Sequence, residues 1–350
     1  MSDITQRKLE HIEIVLSDDS VKAGHAAGFE SIRFEHVALP ELALVDIDLR
    51  TELFGHSMNA PLLISSMTGG PARAEDLNQH IAEACNALGI AFGVGSQRIA
   101  LEGEGSAGFG PELRKRAPNV PILANFGAAQ LRQWDGAEMA RRAMEMIAAD
   151  ALIVHLNPLQ EAVQTDGDTD WRGILDAIAE LCRKSEFPVV VKEVGAGISP
   201  RTAAQLVDAG VAAIDVAGAG GTSWAAVEAA RAPSEATRRI ASAFHDWGIP
   251  TAQAVVGARR ACPDTTIIAS GGIRDGIDCA KAIRLGADVV GLAAAVLPAA
   301  VTSSDAIVDE LNIMIEQLRI ACFCTGSGDL TELKTASLLS APGYVDVTAQ

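Results

Sequence analysis

Residues 155 to 161 read His-Leu-Asn-Pro-Leu-Gln-Glu, and this stretch carries more chemistry than any other part of the chain. His155, Asn157, Gln160 and Glu161 bring an imidazole, two carboxamides and a carboxylate to one loop. Together such groups can bind an anion, hold a metal and move a proton. The apolar run 151–154 just before them reads as a buried strand, so the cluster sits where a strand ends. A polar turn with a capping role is the plainer reading of the same residues. What the other strand ends carry decides between the two.

Short β-rich runs recur along the chain, each followed by a helical pattern. Strands are expected at 61–65, 91–95, 121–125, 151–155, 188–192, 212–216, 266–270 and 288–292. Helices are expected at 74–88, 137–148, 171–184, 202–209, 229–247 and 277–285, where apolar residues fall three and four apart. Several strands are apolar throughout, as they must be when both faces are covered. Eight strand–helix units in succession suggest an α/β fold, a (β/α)8 TIM barrel, rather than a doubly wound sheet. Residues 1–60 form an N-terminal extension and 305–320 a C-terminal helix. No linker splits the chain, so 1–350 is read as a single domain.

A barrel of this kind builds its site from the loops after its strands. Here those loops are 66–70, 96–98, 125–127, 155–161, 192–195, 218–222, 270–274 and 293–294, nearly all polar, basic or glycine-rich. The glycines after strand seven and the small residues after strand eight let backbone N–H groups approach a phosphate, of a sugar or of a cofactor. Thr222 could donate to that phosphate or cap a helix. Lys192 ends the apolar strand PVVVK, where a lysine needs negative charge beside it, from a reduced flavin or from Glu193. Asn125 and Ser96 could bond a ring edge, with Ser66, Met67 and Thr68 against its face.

Composition narrows the partners. A net charge of −17 argues against nucleic acid or a membrane surface, because both need a positive face. An anionic substrate must then be met by a local basic cluster. The six cysteines show no zinc-type spacing and read as buried or incidental thiols. Without an apolar run of membrane or signal-peptide length, a cytoplasmic location is expected.

The segments MTGG, GSQR, HLNPLQE, VKEVG, AGAGGTSW and SGGIRDGID occur in this order between residues 67 and 278, with RKLEHI and HVALPEL before them. In this set the chain resembles the type 2, FMN-dependent isopentenyl-diphosphate isomerases. The resemblance implies interconversion of isopentenyl and dimethylallyl diphosphate with reduced FMN and Mg2+, NADPH serving as reductant. It implies FMN contacts at Ser66, Met67, Thr68, Ser96, Asn125, Lys192 and Thr222, and at Gly271, Gly272, Ile273, Ala293 and Ala294. Arg7, Lys8, Ser96, Gln97, Arg98 and Gln160 would handle the substrate, Glu161 the metal, and Gln160, His155 and Asn157 the catalysis. Read without the resemblance, Arg7 and Lys8 also fit an exposed basic turn. In this reading the flavin itself exchanges the proton and the protein orients it.

Three rivals are weighed on residue type. A 2-hydroxy-acid oxidase needs a base histidine after strand six, where this chain has only GAGG. A purine-nucleotide dehydrogenase needs a cysteine there, and none lies between Val216 and Glu228. A non-catalytic phosphate sensor would explain the glycines but not the 155–161 cluster. The stretch 232–239 is longer than a barrel unit requires. The stripe Ile307, Leu311, Met314, Ile315 and Leu318 is expected to pack on the barrel or on a sister subunit, in a homotetramer or larger assembly. Met67 and Trp224 are possible walls for an apolar prenyl chain.

Overall fold

In the computed structural model the described residues are 10–11, 13–16, 21, 26–67, 73–103 and 108–339; Arg7, Lys8 and Thr68 lie outside them. A short antiparallel hairpin, β1 (Thr51–Leu53) and β2 (His56–Met58), precedes the barrel. The barrel strands are β3 (Leu62–Ile64), β4 (Ala91–Gly93), β5 (Ile122–Gly127), β6 (Ala151–Leu156), β7 (Val189–Glu193), β8 (Ala213–Asp215), β9 (Thr266–Ser270) and β10 (Val289–Leu292). They pair in parallel in chain order, and β10 closes the ring on β3. All eight expected strands are present, with no end moved by more than two residues.

Alternation along the strands gives the barrel two cores. Leu63, Ala91, Leu123, Ile153, Val190, Ala213, Ile268 and Val289 pack inside it, where Leu53 and Met58 of the hairpin join them. The outward residues, such as Ile64, Phe92, Val154 and Val191, meet the surrounding helices in a second, larger cluster. Those helices include α1 (Arg73–Leu88), α2 (Gly136–Ile147), α3 (Pro158–Val163), α4 (Ile174–Lys184) and α5 (Pro200–Asp208).

The stretch 229–247 is not one helix. The chain instead forms α6 (Trp224–Ala230), α7 (Glu235–Ser242) and then α8 (Thr251–Ala261), the barrel helix proper. Pro233 stops the first, because the residue before a proline avoids helical backbone. Ser234 then caps the second, accepting from Thr237 N at 3.2 Å. Apolar spacing ran through these breaks, so it suggested a continuous helix. The overlong 232–239 stretch thus belongs to a two-helix insertion between β8 and its helix. That insertion packs on α3 through Val163, Ala225, Ala229 and Ala241.

After α9 (Gly276–Leu285) comes the C-terminal α10 (Ser304–Cys324). Its buried stripe, Ile307, Leu311, Met314, Leu318 and Cys322, faces the barrel's own helices. Gly276 permits that contact, since a Cβ there would lie 2.2 Å from Met314 O. Cys85, Cys262, Cys279 and Cys322 are buried free thiols, and burial pushes the Cys322 thiol up to about 12. No helix among the described residues is long and apolar enough to cross a membrane.

Candidate active site

Two residues beyond the inward apolar layer, the same faces of the eight strands carry Ser65, Gly93, Asn125, His155, Lys192, Asp215, Ser270 and Gly291. An apolar barrel therefore ends in a floor of polar and glycine positions. His155 Nδ1 and Asn125 Oδ1 are 2.9 Å apart, and Asn125 Nδ2 donates to Val94 O at 3.0 Å. Ser270 Oγ donates to Asp215 Oδ1 at 2.6 Å. Ser65 Oγ, Ser66 Oγ and Asp215 Oδ2 are buried with no hydrogen-bond partner. Unpaired buried polar atoms are costly, and several at one barrel mouth mark a surface made for a polar ligand.

Lys192 is buried, with its Nζ donating to Glu193 O at 2.5 Å. The Glu193 carboxylate does not pair with it. One oxygen, Oε2, accepts from the backbone N–H groups of Val194, Gly195 and Ala196 at 2.5–2.6 Å, fixing the loop after β7. Burial pushes the Glu193 carboxyl up, against these donors, which favour the anion.

The 155–161 cluster is more ordered than its residue types required. Pro158 starts the short α3, which raises Gln160 and Glu161 over the floor. Asn157 Nδ2 donates to Glu161 Oε1 at 2.8 Å and to Gln160 Oε1 at 3.2 Å. Gln160 Nε2 in turn donates to Glu228 Oε1 at 3.2 Å. Two carboxylates, which only accept, thus bracket two carboxamides and fix which way each one points. Asn157 Oδ1 is left buried and unpaired. The second carboxylate oxygen of Glu161 accepts from Asp168 N at 2.8 Å and Gln164 Nε2 at 3.2 Å.

Glu228, on α6, escaped the sequence reading. It is 4% exposed and also binds His11 Nε2 at 3.1 Å and Arg231 at 2.9 Å. Burial opposes its ionisation, but the His11 and Gln160 hydrogen bonds and the Arg231 charge outweigh it and hold the carboxyl below its usual range. An acid inside the alanine-rich run AAVEAA was the available signal. Asp215 was missed as well, although an acid ending the strand AAID is as conspicuous as Lys192.

The other expected contacts divide. Arg98, whose side chain is about one-quarter exposed, meets Glu102 at 3.0 Å and Asp168 at 3.4 Å, beside the loop that holds Glu161. Gln97 is fully buried and turned away from the mouth. Its Oε1 accepts from Asn125 N at 2.9 Å and its Nε2 donates to Ala143 O at 3.0 Å, which leaves no face for a substrate. Ser66, Met67 and Ser96 are half-buried at the mouth. Thr222 does not cap α6, because Ser223 does, accepting from Ala226 N at 3.3 Å.

Gly271 and Gly272 take left-handed φ angles of 103° and 69°. A Cβ on the first would lie 2.1 Å from Gly218 O and on the second 2.4 Å from Gly220 O. The loops after β8 and β9 thus meet backbone to backbone, with no room for a side chain between them. Ile273 is buried beside them, Ala293 is half-buried and Ala294 is exposed. A cavity between the insertion and the β7 loop is walled by Leu159, Gln160, Val194, Trp224 and Trp247. His11 stacks edge-on against Trp224, ring centres 5.1 Å apart.

Comparison with known proteins identifies the family. The FMN-dependent dehydrogenase family model matches residues 2–102 and 122–340. An isopentenyl-diphosphate delta-isomerase of Stutzerimonas stutzeri (strain A1501) is 62% identical over 336 residues, 96% of this chain and 97% of that one. The chain belongs to the isopentenyl-diphosphate delta-isomerase family. A second member, from Pseudescherichia vulneris, is 57% identical over 96% of each chain. Among solved structures, a mandelate oxidase matches with a TM-score of 0.68 at 16% identity, covering 96% of this chain and 98% of its own. A lactate oxidase of Pediococcus acidilactici matches at 0.65 and 17%, covering 95% and 93%. At such identities these structures speak for the barrel alone. Family membership, by contrast, gives the floor and the glycine loops a flavin to fit. The unpaired Ser65 and Ser66 atoms and the glycine-lined loop junction suit its polar ring and its phosphate.

Proposed function

We propose that this protein interconverts isopentenyl and dimethylallyl diphosphate with reduced FMN, Mg2+ and an NADPH-derived supply of electrons. The observation that carries the reading is the Glu161–Asn157–Gln160–Glu228 chain standing over a polar floor. An allylic shift without net redox change needs a proton added at one alkene carbon, which leaves positive charge on the other, and a proton removed from the carbon on the far side of that charge. Gln160, its carboxamide held in one orientation, aims the alkene and lines the path of that proton. Asn125, His155 and Lys192 hold the floor's polar edge, and Thr222, Gly271, Gly272, Ile273, Ala293 and Ala294 frame the phosphate end.

When bound and reduced, FMN supplies an electron-rich ring that stabilises developing positive charge and a ring nitrogen that exchanges protons. Glu161 would hold the Mg2+, which takes few protein ligands and completes its shell with phosphate oxygens and water. Arg7, Lys8, Ser96 and Arg98 would receive the diphosphate, each charge-assisted contact contributing about 1.5–3 kcal/mol. Trp224 and Met67 wall the prenyl chain. A cytoplasmic homotetramer or larger homo-oligomer, folded as a single domain, completes the reading.

The test is isomerisation of labelled isopentenyl diphosphate by purified protein, with FMN, Mg2+ and reductant each omitted in turn. Loss of activity on each omission is expected. Full activity without FMN would overturn the reading. Tightly bound, reducible FMN with no isomerisation would point instead to an oxidoreductase.

A further inference from the structure

The mechanism above leaves one buried charged group of the floor without a task. Asp215 ends β8 and is 1% exposed. In the parallel register its Cα is the partner of Lys192 on β7, and both residues follow inward-facing apolar neighbours, Ala213 and Val190, by two positions. They therefore project into the same polar layer. Oδ1 of Asp215 is pinned by Ser270 Oγ at 2.6 Å and by Ala217 N at 3.3 Å, while Oδ2 is buried and unpaired. A lone carboxylate so placed is expensive to bury. Burial does push its carboxyl up, and the Lys192 charge is the strongest influence pulling it back. The two groups sense each other without forming one of the close ion pairs found elsewhere in the molecule.

We propose that Asp215 is a positioning residue for Lys192: its carboxylate draws on the ammonium from the next strand and so limits the positive charge the floor presents to bound flavin. A positive floor favours the reduced, more negative flavin, and Asp215 moderates that preference. The inference rests on the flavin reading and deepens it. Lys192 supplies the charge, Asp215 sets how much of it the flavin meets, and Ser270 holds the carboxylate in place.

The experiment measures the FMN midpoint potential in full-length wild type, D215N, K192M and D215N/K192M, by reductive titration against a reference dye. Asparagine keeps the shape and the Ser270 and Ala217 contacts, so D215N should retain flavin. Its reduced-to-oxidised ratio at a fixed potential should rise about tenfold, about 30 mV for a two-electron couple. In the K192M background the same substitution should have less than about one-third of that effect, as coupled neighbours require. A wild-type potential in D215N overturns the proposal. So does weaker FMN binding or a lower Tm at unchanged potential, which would mark a structural role only. An undiminished shift in the K192M background overturns it too, because Asp215 would then act on the flavin directly. Should D215N fail to fold, Ser270→Ala releases the carboxylate instead; a smaller upward shift is expected, and no shift overturns the idea. Wild-type protein that retains no FMN would instead refute the flavin reading beneath it.

Discussion

Replacing Glu228 by glutamine tests whether the polarity of the carboxamide chain matters. The carboxylate accepts on both oxygens, from Gln160 and His11 on one and from Arg231 on the other. A glutamine offers one acceptor and one donor. If its oxygen faces Arg231, its NH2 meets the Gln160 NH2, and Gln160 cannot flip in response because Asn157 Nδ2 already donates to its oxygen. Asn157 cannot flip either, since the same NH2 also donates to Glu161. If the glutamine's oxygen faces Gln160 instead, its NH2 meets the Arg231 guanidinium, so a donor faces a donor in either orientation. Losing one hydrogen bond to a charged acceptor costs about 1.5–3 kcal/mol. Felt fully in the transition state, that is about a 10- to 150-fold fall in kcat. The assay is steady-state isomerisation under reducing conditions, with FMN occupancy checked by absorbance. FMN occupancy should be unchanged, and KM should move much less than kcat because Glu228 meets Gln160 rather than the diphosphate donors. A kcat within about twofold of wild type, in protein with normal flavin content, would refute the claim that Glu228 orients Gln160.

Three further substitutions probe the scaffold. Gln97→Ala should leave KM alone and lower stability by about 1–3 kcal/mol, because it strands the buried Asn125 N–H; thermal melts beside Michaelis kinetics decide it. Gly271→Ala forces a Cβ to 2.1 Å from Gly218 O at φ 103°, so about 2 kcal/mol or more of strain and loss of bound FMN are expected, read by Tm and flavin absorbance. Asp288 tests pH linkage: burial pushes its carboxyl up, but Lys334, the Ile267 N–H and Arg259 more than offset this and hold it below its usual value. With a folded pKa below the unfolded one of about 3.9, its contribution is full above about pH 4 and is lost as pH falls through the folded value. Asp288→Asn should cost about 1–2 kcal/mol at pH 7, a gap that closes on acidification and is measured by denaturant titration at several pH values.

The barrel was legible because its strands are short, apolar and regularly spaced, and because closing a sheet needs only that repetition. The floor became visible only with the register, which places Ser65, Asn125, Lys192 and Ser270 two residues past the inward core. The α6–α7 insertion was not legible. Its apolar residues keep helical spacing across Pro233, and only the local backbone preference marks the break. The direction of the Gln97 side chain was not legible either. Its neighbours Ser96 and Arg98 are at the mouth, but Gln97 stands at the start of the short helix Arg98–Leu101, and adjacency in sequence says nothing of which way each side chain points.

Glu228 shows what kind of information sequence withholds. It lies 67 residues beyond Glu161 in a helix that the pattern did not delimit, yet the two carboxylates end the same hydrogen-bonded chain. Either carboxylate alone would leave a carboxamide free to turn over. Together they leave one arrangement in which every NH2 donates and Asn157 Oδ1 is the oxygen left over. The insertion therefore does more than lengthen a loop. By bringing Glu228 over α3, it turns two adaptable carboxamides into a directed pair, and the chemistry read from residues 155–161 depends on a helix, Trp224–Ala230, whose bounds the sequence reading did not find.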